Sequence, residues 1–148
     1  MRIPLIAAGL LFAAHASAQN VPAGVVLHDI SKAKWEKSAV GQVSKIVGDQ
    51  TKPGPYIFLT KPQPTPGAAT KPHTHPDNRT YTVIAGTWYV GFGEKYDESK
   101  LIALKAGSVY TEPAGVPHFV LIKDAGTIVQ ISGTGPSRLT PVGEAAKQ

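Results

Sequence analysis

Apolar residues fall in short runs along most of this chain, each closed by glycine, proline or small polar residues, and several runs alternate apolar with polar positions. Alternation with a period of two is the signature of a strand with one buried face, and runs of this length are too short for helices. The pattern predicts strands in VVLHDI (25–30), GQVSKIVGD (41–49), YIFLT (56–60) and on both sides of Gly86 in RTYTVIAGTWYVGFG (79–93). LIAL, GSVYTEP, HFVLIK and TIVQISG follow, separated by Lys-Ala-Gly, Pro-Ala-Gly-Val-Pro and Lys-Asp-Ala-Gly turns. Gly86 divides two of these runs and predicts a hairpin or tight bend. SKAKWEKS and EKYDESK are polar enough for connections or single helical turns, and Trp35 is expected to cover the core. The polar tail after Gly135 is expected at the surface or frayed. Short strands and glycine turns in this rhythm define an all-β barrel or sandwich.

A proline-rich stretch, TKPQPTPGAATKPHTHP, interrupts the strands. Each proline removes an N–H donor, so the stretch is excluded from helix and from a central strand and is expected as loop or edge. Pro72 and Pro76 bracket His73-Thr74-His75 and bias the residues before them toward extended geometry. In an extended segment side chains alternate, so His73 and His75 point the same way and make half of a metal site. The same parity puts Arg79, Tyr81 and Val83 on one face of the following strand and Thr80, Thr82 and Ile84 on the other. A third histidine, His118, follows the Pro-Ala-Gly turn, which would return a later strand to the first two.

Two stretches, 67–86 and 107–122, resemble the paired motifs of the cupin superfamily, G-x5-H-x-H-x3,4-E-x6-G and G-x5-P-x-G-x2-H-x3-N. Gly67, His73, His75 and Gly86 fit the first, and Gly107, Pro113, Gly115 and His118 fit the second. The glutamate position is occupied by Arg79, or by Thr80 at the longer spacing, and the final asparagine by Ile122. The resemblance implies a single-domain cupin-like β-barrel, a double-stranded β-helix or jelly roll, with a mononuclear metal on His73, His75 and His118. It is compatible with a homodimer formed through edge strands. It leaves the reaction open, because one barrel serves many chemistries.

Composition narrows the chemistry. The 148-residue chain has the length of one domain and contains no cysteine, so disulfides, thiolate ligands and cysteine nucleophiles are excluded. Ligands must come from nitrogen and oxygen, and imidazole suits Fe, Mn, Zn or Ni. Residues 1–18 read as a signal peptide: Met1-Arg2 supplies the positive start, Ile3 to Ala14 is apolar, and Ala16-Ser17-Ala18 has the small-x-small form of a cleavage site. The apolar run is shorter than the ~18 residues that a membrane anchor needs, so the expected product is a periplasmic or secreted barrel spanning 19–148. The formal charge of +5 includes Arg2, and the surplus lies early, on Lys32, Lys34, Lys37, Lys45, Lys52, Lys61 and Lys71. With no nucleic-acid-binding motif, these lysines read as a solvated face rather than a nucleic-acid surface. His28 has no motif around it and reads as a surface residue.

Arginine cannot ligate a cation, since it stays protonated and offers only donors. Three arrangements therefore remain open from the sequence. The metal is held by the three histidines alone, with Arg79 gripping a substrate carboxylate and Tyr81 donating a hydrogen bond or proton to it. Alternatively Asp77 replaces the missing glutamate, or Glu112 serves as ligand or histidine partner. In the third, the metal is lost and Arg79 holds a small anion in a non-catalytic binding or sensing module. The first two describe a metalloenzyme of dioxygenase, lyase or isomerase type acting on a small organic substrate, and the third a binding protein.

Overall fold

The computed structural model describes residues 21–64 and 70–142. The leader at 1–18 and Gly67 of the first motif lie outside the described residues. Among the described residues eleven strands run in chain order: β1 (Glu36–Ser38), β2 (Gly41–Val47), β3 (Gly54–Pro62), β4 (His73–Thr74), β5 (Arg79–Ala85), β6 (Thr87–Phe92), β7 (Ile102–Lys105), β8 (Val109–Glu112), β9 (His118–Leu121), β10 (Ile128–Gly135) and β11 (Thr140–Pro141). All pairings are antiparallel. They form a six-stranded sheet, β1-β2-β3-β10-β5-β8, and a five-stranded sheet, β11-β4-β9-β6-β7. Two antiparallel sheets facing each other across one core are the jelly-roll barrel that the cupin resemblance implied, within the all-β class that the short-strand rhythm gave. Among the described residues no helix is long and apolar enough to cross a membrane.

The core lies between the sheets and is built by parity. Tyr56, Tyr81, Val83, Val129 and Ile131 come from the larger sheet, and Trp88, Val90 and Val120 from the smaller. From His73 to Val83 every odd position is buried and no even one is. The odd face thus carries five polar side chains, His73, His75, Asp77, Arg79 and Tyr81, into the barrel, which demands that each find a partner there.

Several expectations are corrected. VVLHDI forms no strand: Val25, Val26 and Leu27 are 50%, 55% and 75% exposed, and Ile30–Lys32 is a single 3-10 turn capped by Asp29. The outer edge of β2, where another strand would pair, is already taken by Glu36–Ser38. Gly86 makes no hairpin, because β5 and β6 belong to different sheets and the bend carries the chain from one to the other. The tail is not frayed through Val142: Ser137 is buried and β11 pairs with β4. β4 is no edge either, since it lies between β11 and β9, although prolines on both sides confine it to two residues. Phe92 is exposed, whereas Trp88 and Phe119 are buried and Trp35 is half-buried under Lys61.

Two glycines isolate what the Gly86 bend requires. Gly86 (φ +72°) and Gly115 (φ +76°) share a positive φ, but a Cβ on Gly86 would lie 2.6 Å from Thr127 Oγ1 and 2.8 Å from its Cα, while one on Gly115 would meet nothing within 4 Å. Gly86→Ala is expected to lose about 1–3 kcal/mol more than Gly115→Ala in urea unfolding, the difference being the clash with fully buried Thr127. Equal losses would show that conformation alone fixes the bend.

Candidate metal centre

His73 on β4 and His118 on β9 are direct cross-strand partners, and His75 follows β4 at the next inward position. Their ligand-capable nitrogens all lie within 4.8 Å of one another, and the residues are 5%, 2% and 7% exposed in the order His73, His118, His75. Each ring is oriented by a backbone carbonyl: His73 Nδ1 donates to Lys71 O (2.8 Å), His75 Nδ1 to Arg138 O (2.8 Å) and His118 Nδ1 to Val116 O (3.1 Å). A carbonyl can only accept, so the proton of each neutral ring sits on Nδ1 and the lone pair on Nε2. Burial keeps the rings neutral, pushing His75 down to about 3 and His118 to about 4 and lowering His73, with the Arg79 charge acting in the same direction. Three buried neutral imidazoles with free Nε2 lone pairs are a donor set that a divalent transition metal fits.

Arg79 and Tyr81 lie beside this cluster, where strand parity put them. The guanidinium is spent on the barrel wall: Nη2 donates to Ser137 Oγ (2.5 Å), Nη1 to Tyr81 Oη (3.5 Å), and Nε lies 3.5 Å from Asp77 Oδ1. Asp77 in turn accepts from Tyr56 Oη (2.5 Å) and from Ser137 Oγ. Burial alone would raise the Asp77 pKa, but these hydrogen bonds and the Arg79 charge outweigh it and hold the carboxyl below its usual value. Asp77 is therefore the counterion of Arg79 and stands outside the histidine cluster.

The other buried carboxylate, Glu112, lies opposite Arg79 in the β5–β8 register. Its Oε1 accepts from Tyr81 Oη (3.2 Å), and its Oε2 lies 3.3 Å from His118 Nε2 with no hydrogen-bond partner. Burial raises its pKa to about 7 against the pull of Arg79 and Tyr81. Burial likewise pushes the Tyr81 hydroxyl up, so it stays protonated and donates. Tyr81 stacks on Tyr110 (4.5 Å, 11° between planes), whose hydroxyl accepts from Trp88 Nε1 (3.0 Å), so its position is fixed from behind.

Three participants escaped the sequence reading. Tyr56 looks like any apolar strand residue, and Ser137 lies in the tail that composition assigned to the surface. Gly133 left a legible signal, a glycine inside a strand, which marks close approach. A Cβ there would lie 2.5 Å from both Asp77 Oδ2 and Tyr56 Oη, so Gly133 makes room for their hydrogen bond. His28 is exposed and remote from the motifs, as expected.

Residues 64–129 match the family model described as "Cupin domain". That match takes in a little under half of the chain and contains His73, His75 and His118. Germin-like protein 5-1 of Oryza sativa subsp. japonica is 40% identical over 58 residues, which cover 37% of this chain and 25% of that protein. The chain thus spans a quarter of that relative's length within the match. Two solved structures share the fold: the polyketide cyclase RemF from Streptomyces resistomycificus (TM-score 0.61, 15% identity, 80% of this chain and 85% of that one) and KdgF from Halomonas sp. (TM-score 0.55, 14% identity, 72% and 93%).

The Asp77–Arg79 pair lends itself to a double-mutant cycle. Breaking a buried pair leaves an uncompensated charge, so Asp77→Asn is expected to lose about 3–5 kcal/mol of unfolding free energy, and the double variant Asp77→Asn/Arg79→Met to lose less than the sum of the two single losses, by a coupling above ~1 kcal/mol. Additive losses in urea titration would show that the 3.5 Å contact contributes nothing.

Proposed function

We propose that this protein is an exported mononuclear metalloenzyme in which His73, His75 and His118 hold one divalent transition metal and a small anionic organic molecule is the substrate. The observation that carries the reading is the trio of buried Nε2 atoms, each left free because its ring's Nδ1 is bound to a backbone carbonyl. Such an ion supplies Lewis-acid or oxygen-activating chemistry, and the absence of cysteine favours Fe, Mn, Zn or Ni in a nitrogen and oxygen site.

Charge favours the substrate class. With Arg79 matched by Asp77, Glu112 is the remaining carboxylate beside the cluster and cannot balance a divalent cation alone. The surplus positive charge attracts an anionic ligand, in a buried setting where it is weakly screened. Tyr81 keeps its proton at Oη and donates it to Glu112 while accepting from the Arg79 guanidinium, so it donates to bound substrate only when a substrate oxygen replaces Glu112 Oε1 as its acceptor. Arg79 orients that hydroxyl and sets the sign of the local field. The enzymes among the fold relatives, including a polyketide cyclase, are compatible with this reading.

Elemental analysis of untagged protein is expected to find close to one transition-metal equivalent per chain. His118→Ala is expected to lose the metal and, against a panel of small carboxylates, more than about 100-fold in turnover. Absence of metal in the wild type after anaerobic reconstitution would contradict the proposal. Retention of anion binding by metal-free His118→Ala, lost in Arg79→Met, would support the binding-module reading instead.

A further inference from the structure

Resting on the three-histidine reading, we propose that Glu112 supplies an oxygen ligand to the same ion, the ligating carboxylate having moved from the β5 position now held by Arg79 to its cross-strand neighbour on β8. Arg79 and Glu112 are paired directly in the register, so the exchange displaces the carboxylate by one strand within the same wall. Glu112 is 1% exposed, and its Oε2 has no hydrogen-bond partner. An orphaned carboxylate oxygen inside a barrel is costly unless something positive meets it.

What faces Oε2 is His118 Nε2, at 3.3 Å. Because His118 Nδ1 donates to Val116 O, Nε2 carries a lone pair, so an ionised Glu112 and His118 oppose two acceptors. A shared cation turns that opposition into attraction. Two donors each ~2.1 Å from one ion and at adjacent coordination positions are separated by about 3.0–3.4 Å, which the observed distance matches. The carboxylate is also aimed: Oε1 is held by Tyr81, itself fixed on Tyr110, which leaves Oε2 toward His118; Glu112 lies outside the group of ligand atoms within 4.8 Å of one another, so it ligates by closing on the ion from the His118 side. Asp77 offers no substitute, since both its oxygens are taken by Tyr56 and Ser137.

The test is Co²⁺ titration of metal-free wild type and Glu112→Gln, read by affinity and visible absorption. Glutamine keeps the shape and supplies an N–H that can donate to His118 Nε2, but it is a poor ligand. The proposal expects Glu112→Gln to bind Co²⁺ at least about tenfold more weakly with a changed spectrum. Unchanged affinity and spectrum would mean that Glu112 only hydrogen-bonds His118, and would overturn this inference while leaving the three-histidine site intact. Should Glu112→Gln fail to fold, infrared difference spectra of the wild type with and without Co²⁺ decide the matter. A shift of carboxylate stretching bands on metal binding supports ligation, and its absence overturns it. A wild type that binds no Co²⁺ would instead defeat the parent reading.

Discussion

The ionic interaction of Arg79 with Asp77 is the constraint on which the rest of the site depends. A guanidinium that is 7% exposed inside a barrel costs several kcal/mol to desolvate unless it is matched and hydrogen-bonded. The match recruits elements distant in sequence: Asp77 from the turn before β5, Tyr56 from β3, Ser137 from the tail after β10, and the space left by Gly133. Through Ser137 the pair holds the tail against the barrel, and the next residue of that tail, Arg138, offers the carbonyl that orients His75. The buried charge and the histidine geometry are thus parts of one network.

That network separates two kinds of carboxylate. Asp77 is saturated with donors and kept ionised, so it neutralises Arg79 and has nothing left to give. Glu112, across the strand pair, has one oxygen tied to Tyr81 and the other free beside His118. The positive charge of Arg79 also helps keep the three imidazoles neutral, the protonation state in which they can act as ligands. An arginine at the usual glutamate position is therefore compatible with metal binding, because its charge is met by Asp77.

Much of this was legible in residue order. The H-x-H pair and the parity that buries Arg79 and Tyr81 follow from the period of two, and the Pro-Ala-Gly turn returns His118 beside His73, whereas the prolines shorten β4 without putting it at an edge. What escaped depends on partners that local sequence does not contain. Val25 to Ile30 has strand-like composition, but the place beside β2 is taken by Glu36–Ser38. The tail is polar because its polar groups are used inside, at Ser137 and at the Arg138 carbonyl. Glu112 was visible only as one option among carboxylates, until its register opposite Arg79 and its unpartnered oxygen distinguished it from Asp77.

The most direct test of the central claim is a crystal structure of the metal-loaded protein with anomalous data collected at the edge of the bound metal. A single strong peak among the Nε2 atoms of His73, His75 and His118, with Arg79 still on Asp77, is the predicted result. No peak among those three nitrogens, or imidazoles turned away from one another, would contradict it.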